Sequence, residues 1–168
     1  MTYPAGGGKG EIHMRDTPSL DRTYCVIRDT ILETGWAPHF TDFARTLGIP
    51  VEEARRAVTD LMESHFPGWF HPGMEHIAAF SPFANFPTHN RITVDGEQKW
   101  YTICGFESLS VCWLFPGKTL RADTNCVRSG EPLRIDMRDG ELLVAEPETI
   151  CAYVNVPYAK WFEDKAYV

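Results

Sequence analysis

Apolar residues recur at helical spacing in three stretches of the first third of the chain. Tyr24, Ile27 and Ile31 lie three and four residues apart, and Gly35 ends this pattern. Two further apolar stripes follow, formed by Phe40, Phe43, Ala44 and Leu47 before Gly48, and by Ala54, Val58, Leu61 and Met62 after Pro50. The pattern therefore predicts three short helices, the first from Asp21, and their tight joints are typical of a winged-helix-like module.

After the third helix the pattern changes from helical to extended. Aromatic residues and prolines crowd residues 66–90 without a clear period, which predicts loop with short extended pieces. Residues 91–94 followed by Asp95-Gly96 predict a strand and a turn, and the apolar and small residues of 100–113 predict a buried helix. Four later segments have the composition of strands, with Asp139-Gly140 as a hairpin turn: 119–122, 133–137, 142–145 and 150–156.

These elements predict an α+β protein in three parts. The parts are a flexible tail (1–20), a three-helix, winged-helix-like module (21–70) and a small mixed-sheet α+β domain (71–168).

Composition and charge narrow the function classes. The 168 residues are 43% apolar and 23% charged, as in a globular protein, and 16 Lys and Arg against 23 Asp and Glu give a net charge of -7. This charge disfavours nucleic acid and anionic membranes as partners. Residues 1–8 contain no apolar signal-peptide stretch, and no run approaches the ~18 apolar residues of a membrane span, so we expect a cytoplasmic protein.

The number of cysteines, five, is odd, and the expected compartment is reducing, so a disulfide framework is disfavoured. The sequence also contains no Cys-x-x-Cys pair. If residues 100–113 are helical, Cys104 and Glu107 share one helix face. A carboxylate beside a thiol can take its proton and deliver it elsewhere, and the thiolate is a nucleophile and a ligand for soft metals. The alternative is a buried cysteine beside a solvated glutamate.

Cys151 adds a second thiol on a predicted strand of the same domain. Two thiolates and one carboxylate without histidine favour soft ions such as mercury or cuprous copper over magnesium or calcium. The domain of residues 71–168 therefore contains a candidate site for binding a soft metal ion or for thiol chemistry.

Three segments in this order resemble the alkylmercury (organomercurial) lyases. They are Cys104-Gly105-Phe106-Glu107-Ser108-Leu109, residues 119–133 around Cys126, and Cys151-Ala152-Tyr153-Val154-Asn155. As in that family, they follow a three-helix module, and the resemblance covers roughly residues 22 to 160. It implies a sheet domain of alkylmercury-lyase type.

Residue by residue, the resemblance implies roles for the cysteines and the acid. Cys104 and Cys151 would be the two thiols that bind mercury, and Glu107 would take the place of the family's aspartate as proton shuttle. Cys126 would match a structural cysteine, which we expect to be buried. Cys25 and Cys112 match no family position, and we assign them to packing.

The implied reaction is protonolysis of a carbon–mercury bond without an organic cofactor. Mercury(II) would stay on the two thiols until a small thiol or a mercuric reductase removes it. Two other functions stay open: a non-catalytic or differently specialised homologue that binds a soft metal or thiol-reactive ligand at the same cysteines, and a DNA-binding, metal-responsive regulator. A homodimer that closes the site is also an open alternative.

Overall fold

A computed structural model describes residues 17–64, 66–154, 156–157 and 160. It confirms the three predicted helices, which are α1 (Thr17–Thr34), α2 (Phe40–Leu47) and α3 (Val51–Glu63). α1 begins four residues before the expected start at Asp21. α2 ends at Gly48, whose φ of 66° is left-handed.

The remaining elements form a sheet with one further helix. The strands are β1 (Gly68–Phe70), β2 (Ile77–Phe80), β3 (Phe83–Ala84), β4 (Arg91–Val94), β5 (Glu97–Thr102), β6 (Leu120–Asn125), β7 (Pro132–Arg138) and β8 (Glu141–Glu146). A helix, α4 (Gly105–Ser110), and a 3₁₀ turn (Val111–Leu114) lie between β5 and β6. The strand order is β1-β2-β3-β5-β4-β6-β7-β8.

The described strands pair antiparallel throughout, so the prediction of a mixed sheet was wrong. The reason is that short turns join strands that are neighbours in sequence, whereas parallel pairs need long crossovers. Asp95-Gly96 and Asp139-Gly140 form two of these turns, with positive φ at both residues of each pair. The structure therefore confirms the predicted turn at Asp95-Gly96 and the predicted hairpin at Asp139-Gly140, and it shows that the first turn also joins a hairpin.

Residues 66–90 contain the short strands β1, β2 and β3 joined by loops, which confirms the prediction of loop with short extended pieces. Two other stretches differ from the sequence-based prediction. Residues 100–113 are not one helix, because their first part completes β5, which pairs with β4 across the Asp95-Gly96 turn. Residues 151–154 have no regular secondary structure, so Cys151 does not lie on a strand.

One hydrophobic core joins the helices to the sheet. The Trp100 indole on β5 donates a 2.8 Å hydrogen bond to the carbonyl oxygen of Ile31 on α1, and Tyr24 stacks on Phe80 of β2. The core includes Ile27, Ile31, Phe43, Val58, Phe80, Ile92, Trp100, Val111 and Leu120. No helix among the described residues is long and apolar enough to cross a membrane.

The sheet register brings the ends of three strands to the same side. A row of paired residues crosses the sheet through Tyr101, Arg91, Asp123, Arg134 and Glu146, on β5, β4, β6, β7 and β8. β5, β6 and β8 all run toward this end, because neighbouring strands alternate in direction. The segments with Cys104, Cys126 and Cys151 therefore begin at one end of the sheet.

Candidate active site

Cys104 lies where the chain leaves β5 and enters α4. It is the N-cap residue of α4, with an extended backbone, and Glu107 is the third residue of the helix. The Glu107 carboxylate accepts a hydrogen bond from the Cys104 N–H, and the N–H groups of Phe106 and Glu107 face the Cys104 sulfur. The sulfur does not form a regular capping bond. The spacing of an N-cap residue and an acidic residue at the third helical position is that of a capping box, but without the side-chain bond of the N-cap residue.

Buried hydroxyl groups hold the backbone of Cys104. The Ser108 hydroxyl donates to the Cys104 carbonyl oxygen at 3.0 Å and lies 2.6 Å from the hydroxyl of Thr102, and both residues are buried. Asn90 on the neighbouring segment donates to the carbonyl oxygen of Ile103 at 3.4 Å. These bonds fix the turn between β5 and α4, and with it the position of the Cys104 thiol.

The Glu107 carboxyl is half-buried and hydrogen-bonded. Ser81, in the turn between β2 and β3, donates its hydroxyl to Glu107 Oε1 at 2.7 Å. Burial raises the pKa of Glu107 because it disfavours the charged form, and the hydrogen bonds from Ser81 and Cys104 act in the opposite direction. The net result is a raised pKa, which suits a group that must both accept and return a proton near neutral pH.

The Cys104 thiol is also half-buried, and it interacts with Glu107. Burial raises the pKa of the thiol, and the negative charge of Glu107 and the hydrogen bond to its carboxylate raise it further. The N–H groups of α4 act in the opposite direction. Both shifts favour the protonated forms, so the thiol holds its proton at neutral pH and lies beside an acid whose affinity for a proton is raised. The spacing of the two residues predicts this juxtaposition.

Cys151 lies apart from this pair. It is exposed in the segment after β8, and its thiol is 3.7 Å from the carbonyl oxygen of Thr149. Among the described residues, no group of three or more His, Cys, Asp or Glu side chains is close enough to hold a metal ion. The structure thus brings Cys104 and Glu107 together but does not add Cys151 to them, and its role as second thiol stays a prediction.

The sheet sets the span that separates Cys151 from the pair. β5 and β8 are four strand spacings apart, which is about 19 Å in a flat sheet at ~4.8 Å per spacing. The five residues from Glu146 to Cys151 span at most about 17 Å when extended. A segment laid along this end of the sheet would thus carry the Cys151 thiol most of the way to Cys104.

The other cysteines divide by burial. Cys112 is fully buried and Cys25 partly buried, consistent with packing. Cys126 is half-exposed, so the expectation of burial was wrong, because the residue follows the last residue of β6 and lies in an exposed turn. Hydrogen bonds from the side chain and N–H of Ser129 and the N–H of Arg128 lower the pKa of its thiol.

A wide groove of about 640 Å³ lies elsewhere, on the polar face of the sheet. Arg91, Thr93, Gln98, Arg121 and Asp123 are among its lining residues, and Cys104 and Glu107 are not. Two hydrogen bonds of 2.7 and 2.8 Å join Arg121 to Asp123. Arg121 and Asp123 therefore satisfy each other's charge, and the groove is separate from the thiol–carboxyl pair.

Sequence reasoning missed Ser81. The residue lies 26 positions before Glu107, and only the pairing of β3 with β5 brings its turn close to α4. The Ser81-Pro82 dipeptide signals a turn, but no spacing in the sequence connects that turn with an acid on a later helix.

Comparison with known proteins identifies the family of this chain. The family model of MerB, described as alkylmercury lyase, matches residues 83–168, just over half of the chain. The matched stretch includes Cys104, Glu107 and Cys151. The chain belongs to the alkylmercury lyase family.

Individual relatives show how far the similarity extends. Alkylmercury lyases of Bacillus cereus and Clostridium butyricum are each 26% identical to this chain over 135 residues, 76% of this chain and 55% of the relative. The chain thus spans about half the length of these curated relatives. A crystal structure of the mercury-bound form of MerB2 shares the fold, with a TM-score of 0.55 at 18% identity over 79% of this chain and 69% of that one.

Proposed function

We propose that this protein cleaves the carbon–mercury bond of organomercurials by protonolysis, with Cys104 as first thiol, Glu107 as proton shuttle and Cys151 as second thiol. The observation that carries the proposal is the interaction of the Cys104 thiol with the Glu107 carboxyl group at a half-buried helix start. Membership of the alkylmercury lyase family supports the class of reaction.

In the first step the Cys104 sulfur bonds the mercury of R–Hg⁺, and its proton passes to the Glu107 carboxylate. Because the thiol is protonated at rest, a cation is needed to displace its proton, and metal coordination to sulfur lowers the thiol pKa strongly. The existing hydrogen bond supplies the path for the proton. After this step Glu107 therefore carries the proton that is delivered to carbon in the second step.

In the second step the Cys151 thiol bonds mercury and releases its proton to solvent. Electron density from two thiolates weakens the carbon–mercury bond, and the Glu107 carboxyl group delivers its proton to the carbon, which leaves as R–H. The balance is R–Hg⁺ plus two thiols giving R–H, a dithiolate-bound Hg²⁺ and one proton. Small thiols or a mercuric reductase would then take the Hg²⁺, and no organic cofactor takes part.

The direct test is release of benzene from phenylmercury acetate in the presence of excess small thiol. The wild-type protein is expected to turn over, and Cys104→Ser is expected to release no benzene above background. Cys126→Ser is the matched control, because this cysteine is half-exposed at the same end of the sheet and has no role in the proposed reaction. No benzene from folded wild-type protein would refute the proposal.

A second candidate function is stoichiometric binding of a soft metal without cleavage. The separation of Cys151 from the Cys104–Glu107 pair favours it, since a lone thiol beside a carboxyl binds mercury without the electron push of a second sulfur. Two results together would favour this function. The wild type would bind mercury(II) without forming benzene, and Cys104→Ser would lose mercury(II) binding.

For α1 to α3 we propose a winged-helix-like arrangement that serves the fold and not DNA binding. Arg55 on α3 forms ion pairs with Glu52 and Glu75 and lies over the ring of Phe40. These contacts leave α3 with an acidic surface.

A further inference from the structure

We propose that Ser81 is a positioning residue that aims the Glu107 carboxyl group at the Cys104 sulfur. The proposal rests on the proposed function, because the role of Ser81 in turnover matters only if Glu107 carries the proton. Its basis is the 2.7 Å hydrogen bond from the Ser81 hydroxyl to Glu107 Oε1, which ties α4 to the turn between β2 and β3.

Ser81 is held by rigid structure. It follows Phe80, which pairs with Phe83 across the turn, and both phenylalanines are buried. The Ser81 N–H donates to the carbonyl oxygen of Pro67 at 3.1 Å. The hydroxyl therefore stands on a fixed backbone, which makes it a suitable anchor for a mobile side chain.

Glu107 needs such an anchor because its side chain is long. A glutamate is among the side chains that lose most rotamer entropy when they are fixed. With Oε1 held by Ser81, the carboxylate is oriented for the bonds from the thiol and N–H of Cys104. Ser81 thus compensates for the extra methylene that distinguishes this acid from an aspartate.

The Ser81 hydroxyl can form a hydrogen bond with Glu107 both before and after Glu107 takes up the proton. It donates to the carboxylate before the proton arrives and can accept from the carboxyl group afterwards, because a serine hydroxyl is both donor and acceptor. Among the described residues, Cys104 is the titratable group whose interaction shifts the pKa of Glu107. Ser81 can therefore stay bonded to Glu107 throughout the transfer.

The test combines kinetics with the titration of Glu107. In Ser81→Ala, kcat for benzene release is expected to fall about 10- to 100-fold with KM unchanged, the scale that ~1 Å misplacements produce. The carbon-13 resonance of the Glu107 carboxyl, assigned by its loss in Glu107→Gln, should titrate at higher pH, because the Ser81 bond favours the carboxylate. Ser81→Thr, which keeps the hydroxyl, should restore both values.

Ser110→Ala is the matched control, because the Ser110 hydroxyl bonds the Glu107 carbonyl oxygen and not its carboxyl group. If Ser81→Ala does not fold, Ser81→Gly removes the same hydroxyl. Unchanged kcat and unchanged titration in the folded variant would overturn the positioning role while the lyase stands. A shifted titration in a protein whose wild type releases no benzene would keep the positioning role and refute the proposed function.

Discussion

Cys104 and Glu107 have a structural role at the start of α4 in addition to the roles proposed for them in the reaction. Cys104 is the N-cap of α4 and Glu107 is its N3 residue, so the pair also begins the helix. A thiol is a weak hydrogen-bond acceptor, and serine is among the preferred N-cap residues, whereas cysteine is not. Cysteine at this N-cap position is therefore expected to make the helix start less stable than serine would. Such a loss of stability is common where a residue is selected for function.

Cys104→Ser should consequently stabilise the protein while it abolishes turnover. We expect the free energy of unfolding to rise by about 0.5–1 kcal/mol, the usual scale for an improved N-cap. Urea denaturation of both proteins measures the change, and Cys126→Ser controls for loss of a thiol elsewhere. A clear loss of stability in Cys104→Ser would show that the thiol does not merely substitute for a capping hydroxyl.

Glu107→Gln should separate binding from cleavage and alter the pH dependence of stability. The pKa of Glu107 is raised in the folded state, so its favourable contribution exists below the unfolded pKa and is lost as pH rises through the folded pKa. The melting temperature of Glu107→Gln relative to wild type should therefore increase from about pH 4 to about pH 8. Mercury(II) binding should persist, and benzene release should fall at least about 100-fold.

For Glu107→Gln, Glu141→Gln controls for removing one negative charge from an acidic chain, since Glu141 lies exposed at the start of β8. A melting-temperature difference that is constant with pH would contradict the raised pKa. Retained benzene release would show that another group carries the proton.

At the scale of elements, the β-hairpins make the clearest comparison with the sequence. Asp95-Gly96 and Asp139-Gly140 predicted turns correctly because the positive φ of both residues selects this dipeptide. In residues 66–90 the sequence predicted short extended pieces but not their bounds, because β3 has two residues and β2 is buried at every position, so neither shows alternation. Local pattern thus predicted the turns, the first three helices and the strands β4, β6, β7 and β8, but neither the bounds of the strands in residues 66–90 nor β5.

The two hairpin turns provide a matched test of packing. A Cβ at Gly140 would lie 2.3 Å from the Trp113 ring, whereas a Cβ at Gly96 would meet nothing within 4 Å. Gly96→Ala should cost about 1 kcal/mol from positive φ alone. Gly140→Ala should cost about 1–3 kcal/mol more, because the indole must move. Equal unfolding free energies for the two variants would show that Trp113 does not pack on the turn.

The sequence predicted part of the candidate site, because only some of its contacts join residues that are close in the chain. The Cys-x-x-Glu spacing predicted the contact between Cys104 and Glu107, although the predicted helix interior is in fact a helix start. Ser81 reaches Glu107 only through the order of β2, β3 and β5, which no local pattern encodes. The place of Cys151 relative to Cys104 depends in the same way on the whole sheet.

For the whole molecule, charge gives a prediction about partners. The net charge is -7, and Arg55 is engaged with Glu52 and Glu75. A random-sequence DNA duplex at low ionic strength should therefore show no mobility shift. The triple variant Glu52→Lys, Glu53→Lys, Asp60→Lys is a useful control for the assay. A shift by the wild-type protein that weakens as salt increases would favour a regulator over an enzyme.

In the proposed reaction a carbon–mercury bond breaks at Cys104 while mercury passes to two sulfurs of the same chain. Intact-protein mass spectrometry after one equivalent of phenylmercury, without small thiol, tests this directly. We predict a mass gain of one mercury less two protons in the wild type, and of one phenylmercury less one proton in Glu107→Gln. A wild-type chain that keeps the phenyl group on mercury would contradict the account.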